Sequence, residues 1–279
     1  MDPHEHHSVP DYQAIMDRFV AACAADGRVI AASLYGSRAR GAADEHSDLD
    51  LGVITTDEAY DDFVAGREEF VRLLGEPLFS EVFGSPVTLF VIYSGGEEVE
   101  FAFGRESELR LSHDGPSAIL LDKKGILVGA IFARRLPAES EQVESLRRQI
   151  SWFWHDLSHF NTAMARGRLW WAQGQLEALR RYCVNLARLR HDFADPDIGE
   201  EPYFKIENAM PVEQLSPLET TFCPMEEGAL LDAALTIVEY YREVARPLAQ
   251  THGFAYPAAL DRVMTARLEA LLDARSQAD

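Results

Sequence analysis

The sequence predicts an α+β protein in two parts: a domain of short strands and helices over residues 1–136, then an all-helical bundle over residues 137–279. Three observations carry that expectation. Short β-like runs alternate with helical stretches through the first half. The β signal stops near Leu136-Pro137. Beyond it, apolar residues recur at alternating intervals of three and four, the mark of one buried helical stripe.

The elements follow in order. Asp11 to Ala25 carries Ile15, Phe19, Val20 and Cys23 at helical spacing, and Gly27 stops it. RVIAASLYG (28–36) reads as a buried strand that ends at a Gly turn, and LDLGVIT (49–55) as a second strand. Glu58 to Leu74 returns to helix, with Phe63, Val64, Phe70, Val71 and Leu74 on one side. LFSEVFG (78–84), VTLFVIY (87–93) and VEFAFG (99–104) are β-rich, and SGGEE between the last two suits a hairpin connection. AILLDKKGILVGAIF (118–132) adds a strand or two around the Lys124-Gly125 turn. In the bundle, one stripe runs through Val143, Leu146, Ile150, Phe153, Leu157, Phe160 and Met164, and a second through Leu169, Ala172, Leu176, Leu179, Cys183 and Leu186. Residues 194–224 contain prolines and are less regular, and Ala229 to Leu248 and Tyr256 to Leu272 supply two more helices.

Composition narrows the function. With 47% hydrophobic and 10% aromatic residues, the chain can pack a core and is not a disordered segment. A formal charge of −20 argues against a general nucleic-acid binder, which needs a basic surface. The same acidity suits a cationic small substrate, or is simply the plain acidity of many enzymes. Cys23, Cys183 and Cys223 are scattered without CxxC spacing, so neither a disulfide framework nor a structural zinc site is expected and a reducing compartment is. MDPHEHHSVPDY lacks the basic and apolar regions of a leader, and no apolar run approaches the ~20 residues that span a bilayer. A soluble, cytoplasmic protein with no membrane partner is the expectation. His4, His6 and His7 form either a metal-binding tract or a frayed polar terminus.

The stretch YGSRARGAADEHSDLDLG (35–52) carries the chemistry. Residues i and i+2 of a strand share a face, so Asp48 and Asp50 project side by side while Leu49 and Leu51 point to the core. Two like charges so placed repel unless a divalent cation sits between them, and hard oxygen ligands suit Mg²⁺. A solvated strand edge is the alternative on those residues alone. Upstream, Gly36 lets the chain turn sharply and Ser37 falls where a helix begins, which makes an anion site fit for a phosphate. Arg38 and Arg40 add positive charge, with Arg40 the more readily solvated of the two. A phosphate cradle followed by paired carboxylates is what triphosphate chemistry requires.

Gly36-Ser37 followed by Ser47-Asp48-Leu49-Asp50 resembles the signature of the DNA polymerase beta-type nucleotidyltransferase superfamily. The resemblance implies a small mixed sheet flanked by helices across about residues 1–135. It also implies phosphate contacts at Gly36, Ser37, Arg38 and Ser47, and a third carboxylate on a neighbouring strand. Glu97, Glu98 and Glu100 are the candidates. Glu100 is the lone charge between Val99 and Phe101, whereas Glu97 and Glu98 fall in the hairpin connection, where solvated charges are ordinary. Glu100 is therefore expected to join Asp48 and Asp50 as catalytic and metal-binding residues, serving as a ligand, a general base or both.

FWHDLSHFNTAMARGRLWWAQGQLEALRR (153–181), with KIENAMP and LETTF further on, is similar to the helical half of lincosamide nucleotidyltransferases and more distantly to streptomycin/spectinomycin adenylyltransferases. In such enzymes appended helices complete a small-molecule site. Trp152, His155, Asp156 and His159 lie off the apolar stripe, and an aromatic beside an acid suits a sugar ring and an amine. Trp152, Asp156 and His159 are the candidate acceptor contacts, against the alternative of a polar helix face with one half-buried Trp. Trp170 and Trp171 are expected in a core or an interface. Lys205 is a candidate triphosphate contact through the resemblance, or simply an exposed lysine. The expected activity is transfer of a nucleoside monophosphate, AMP from ATP with two Mg²⁺ ions, to a hydroxyl of a small, cationic acceptor such as an aminoglycoside or lincosamide. Protein modification of the toxin-partner type, supported by GSRAR, and a degenerate nucleotide-binding module are the alternatives. The family resemblance admits both a monomer and a homodimer.

Overall fold

The computed structural model describes residues 10–111, 115–130, 132, 137–193 and 201–277. The His4, His6 and His7 tract lies outside the described residues. The chain divides into two compact units, Met1–Arg135 and Leu136–Asp279.

The first unit is built on a sheet. Helix α1 (Tyr12–Ala25) begins where the Asp11 carboxylate accepts the Ala14 amide at 3.0 Å and buries Ile15, Phe19 and Cys23. Strands β1 (Val29–Leu34) and β2 (Leu49–Thr55) flank the short helix α2 (Gly36–Ala39). Two further helices, α3 (Tyr60–Ala65) and α4 (Arg67–Arg72), precede strands β3 (Pro77–Val82), β4 (Thr88–Tyr93) and β5 (Glu98–Arg105). After a 3-10 turn over Glu106–Leu111, β6 (Ala118–Asp122) completes a six-stranded sheet in the order β3-β4-β5-β2-β1-β6. The β2–β5 pair is parallel and the remaining pairs are antiparallel, so the sheet is mixed. Leu49, Leu51, Val99 and Phe101 from the parallel pair lie in one core with Phe19 and Phe70.

The second unit is helical: α5 (Glu139–Ala165), α6 (Leu169–His191), α7 (Ile206–Ala209), α8 (Val212–Glu219), α9 (Glu227–Thr251) and α10 (Ala258–Ser276). The two apolar stripes read from sequence are its centre: Leu146, Ile150, Phe153, Leu157 and Phe160 of α5 and Leu176, Leu179, Cys183 and Leu186 of α6 are fully buried. Phe153 stacks on Tyr241 of α9 at 3.6 Å between ring centroids, and the Tyr241 hydroxyl donates to the Ile150 carbonyl at 2.6 Å.

Two local expectations are corrected and a third is narrowed. The helix expected over Glu58–Leu74 is two helices with Gly66 between them, where the residue costliest to order in a helix interior interrupts the run. Around Lys124-Gly125 the described residues hold one strand, β6. The Asp122 carboxylate accepts the amides of Ile126 at 3.0 Å and Leu127 at 2.8 Å, which turns the chain out of the extended form. Trp170 is 82% exposed: it falls beside the stripe that starts at Leu169, on the solvent side of α6.

Candidate active site

The site begins where β1 hands over to α2. The Tyr35 amide donates to the Asp50 carbonyl at 2.9 Å, which holds the end of β1 against β2. Gly36 then turns with φ +63°, and a Cβ there would lie 1.7 Å from Asp50 Oδ2. Sterics and backbone conformation both demand glycine, because the Asp50 carboxylate occupies the place of its missing side chain. The amides that open α2 have no intrahelical acceptor. Ser37 Oγ beside them is buried and has no hydrogen-bond partner among the described residues.

The loop that leads into β2 is clasped from behind. Arg38 donates from Nε to the Asp48 carbonyl at 2.7 Å and from its terminal nitrogen to the Ser47 carbonyl at 2.6 Å, and its guanidinium lies 4.3 Å over the Tyr12 ring. Ser47 Oγ donates to Asp44 Oδ1 at 3.0 Å and accepts the Asp44 amide at 3.0 Å. Arg38 and Ser47, two of the residues expected at a phosphate, are thus engaged in fixing the loop that delivers Asp48 to the start of β2.

The third carboxylate arrives through sheet topology. In the parallel pair, Asp50 stands directly opposite Glu100 in register, and on the other side of β5 Phe90 of β4 faces Glu100. Val99 and Phe101 point the other way into the core. Burial first, and then the charges of Asp50 and Asp48, push the Glu100 carboxyl up to about 7. Glu100 has no ion-pair partner among the described residues. The three carboxylates do not close on one another to within 4.8 Å, the spacing of a compact single-ion trio. A pair of ions about 3.5–4 Å apart accommodates a wider set of ligands. The donor chemistry, all hard carboxylate oxygen beside an orphaned buried hydroxyl, fits Mg²⁺ carrying a triphosphate.

Of the other two candidates, Glu98 is the exposed first residue of β5, whereas Glu97 is buried, contrary to the solvated position expected of it. Its Oε1 accepts the Asp11 amide at 2.9 Å, so it fastens the start of α1 to the hairpin.

In the helical unit Trp152, Asp156 and His159 share one side of α5. Trp152 is 49% exposed and meets His155 edge-on at 4.6 Å. His155 Nδ1 lies 2.9 Å from Asp156 Oδ1, and the His155 and His159 rings are 4.3 Å apart. The sequence places His155 on this helix face with the other three; its contact with Asp156 comes from side-chain geometry, and Tyr182 of α6, whose phenol feels the Asp156 charge, from the packing of α6 on α5. Lys205 is exposed at the N-cap of α7, its ammonium 4.3 Å over the Phe204 ring. Its φ of +53° is the single left-handed non-glycine conformation among the described residues.

A protein family described as streptomycin adenylyltransferase matches residues 10–271. No curated protein sequence matches the chain significantly. Among solved structures, an aminoglycoside 6-adenyltransferase from Bacillus subtilis matches with a TM-score of 0.43 at 13% identity, covering 94% of this chain and 99% of that one. A nucleotidyltransferase-like protein from Exiguobacterium sibiricum matches with a TM-score of 0.37 at 13% identity, covering 83% and 74%. At TM-scores of this size neither likeness bears on function.

Proposed function

Because the chain belongs to the streptomycin adenylyltransferase family, and is with it an adenylyltransferase that uses a nucleoside triphosphate donor, we propose that it transfers AMP from ATP to a hydroxyl of a small cationic antibiotic of the aminoglycoside kind. The observation that carries the reading is the in-register pairing of Asp50 with Glu100 beside the Gly36 turn.

Asp48 and Asp50 would hold two Mg²⁺ ions. When bound, such ions neutralise charge on the triphosphate and polarise the phosphorus under attack. The remaining work belongs to the chain. Ser37 Oγ, buried and without an internal partner, supplies a hydroxyl donor to a phosphate oxygen, and Gly36 keeps the turn open enough for the Asp50 carboxylate to stand against it. Arg38 and Ser47 hold the loop that positions Asp48. Glu100, with its carboxyl raised to about 7, is poised to accept the acceptor hydroxyl proton near neutral pH. Pyrophosphate leaves as the new phosphate ester forms. Recognition of the acceptor is assigned to the helical unit, where Trp152 offers an aromatic face, and Asp156 with His159 the polar groups for an amine.

The test is to incubate the protein with Mg²⁺, the four nucleoside triphosphates and a mixed antibiotic panel, and to follow product masses. The reading requires an aminoglycoside to gain the mass of one AMP with release of pyrophosphate. Gain on a protein side chain instead, or no gain on any acceptor, overturns it.

A further inference from the structure

In the helical unit, α5 carries a second cluster of ligand-type side chains. His155, Asp156 and His159 each place a ligand atom so that all lie within 4.8 Å of one another, and no other trio of His, Cys, Asp or Glu does so among the described residues. The i, i+4 spacing sets the two imidazoles one above the other on the same helix face, 4.3 Å between ring centroids. Asp156 closes the third corner, its Oδ1 2.9 Å from His155 Nδ1. Ligand atoms about 2.0–2.2 Å from a shared ion stand roughly 3–3.5 Å apart, close to the 2.9 Å between His155 Nδ1 and Asp156 Oδ1, and His159 lies within 4.8 Å of both.

The surroundings steady the group and leave it accessible. Trp152 meets the His155 ring edge-on at 4.6 Å, and Trp171 stands 5.9 Å from the His159 ring. Burial, followed by the charge of the Asp156 carboxylate, pushes the Tyr182 phenol up to about 12. The His155 and Asp156 side chains remain 47% and 19% exposed, which leaves an entry path.

Two imidazoles with one carboxylate form a borderline donor set, suited to Zn²⁺, Ni²⁺, Co²⁺ or Cu²⁺ and unsuited to Mg²⁺. We propose that His155, Asp156 and His159 bind one divalent transition-metal ion of the zinc class, with a further coordination position open to water. The site shares no ligand with Asp48, Asp50 and Glu100, and its existence does not depend on the reaction proposed above. An ion here engages the carboxylate that an acceptor amine would use, so loading with Zn²⁺ and occupancy of Asp156 by an amine exclude each other.

The experiment uses the full chain with His4, His6 and His7 changed to Asn, which removes the other clustered source of imidazole, in excess Mg²⁺ to occupy hard oxygen ligands. Co²⁺ is titrated in with the visible absorption followed, and Zn²⁺ binding is measured by calorimetry. The proposal requires one Co²⁺ per chain with an intense visible band that Zn²⁺ abolishes. His155→Asn and His159→Asn should each weaken binding about 10–100-fold without changing the metal-free melting temperature. If either melts lower, Asp156→Asn decides by the same loss. Absence of binding in the parent, or undiminished Zn²⁺ affinity in the variants, overturns the proposal.

Discussion

Asp261 in the helical unit and Glu100 in the sheet unit are both carboxylates drawn out of bulk water, and their neighbours treat them in opposite ways. Asp261 is 3% exposed and receives Arg242 at 2.5 Å, Arg246 at 3.0 Å and the Tyr256 hydroxyl at 3.0 Å. Burial alone would raise its carboxyl, but the hydrogen bonds from Arg242, Arg246 and Tyr256 hold it below the ordinary range. Glu100 faces two further acids instead of two arginines, and burial and like charge together push it up to about 7. The contrast separates an acid that holds a bundle together from one whose neighbourhood awaits a positive charge. In the folded chain the first is satisfied by its neighbours; the second is a source of repulsion.

Asp50→Asn probes the contrast with the largest effect. It should lower pyrophosphate release with a working acceptor by at least about 10³-fold. Near-parental turnover would put Glu100 and Asp50 in the same structural class as Asp261. Next comes Gly36→Ala, whose Cβ would run into the Asp50 carboxylate. We expect about a 10²-fold fall in kcat/KM and a cost of about 1–3 kcal/mol from the left-handed backbone and the clash, read by steady-state kinetics and urea unfolding.

Asp261→Asn sharpens the other side. It should cost about 2–3 kcal/mol in urea unfolding and leave turnover of the folded protein near that of the parent. Because the folded value of Asp261 lies below its unfolded one, its stabilisation is present above the unfolded carboxylate range and fades as pH falls through the folded value. The smallest effect has the opposite sign. Glu100 binds its proton more tightly in the folded state, so its contribution is full below about 4.5 and is lost as pH rises through about 7. With chelator present, Glu100→Gln should therefore gain about 1–2 kcal/mol over the parent near pH 8, after allowance for solvent screening, and little near pH 4. A gain independent of pH would remove the like-charge account of this residue.

What could be read in advance follows the range of the interactions involved. The alternation of Asp48 and Asp50 with Leu49 and Leu51 is local, and β2 falls on the expected residues 49–55. The bundle's stripes are local too, and α5 and α6 bury them. Glu100 was picked out because a charge between Val99 and Phe101 needs a reason, but its place opposite Asp50 depends on a crossover through α3, α4, β3 and β4 that no short pattern encodes. Glu97 was misjudged for the same cause: its partner, the Asp11 amide, lies 86 residues away. Arg38 looked like a phosphate ligand because a guanidinium beside a Gly-Ser turn suits an anion, yet its nearest acceptors are the carbonyls of Ser47 and Asp48, set there by how the loop folds back.

The parallel pairing of β2 with β5 makes the assembly of the acidic trio wait on a late stretch of the chain. A partly made chain that stops short of residue 98 already carries its Gly-Ser bend and first two acids, but lacks the strand that sets Glu100 beside them. The third acid of the trio therefore takes its place only when the last strand of the parallel pair enters the sheet between β4 and β2.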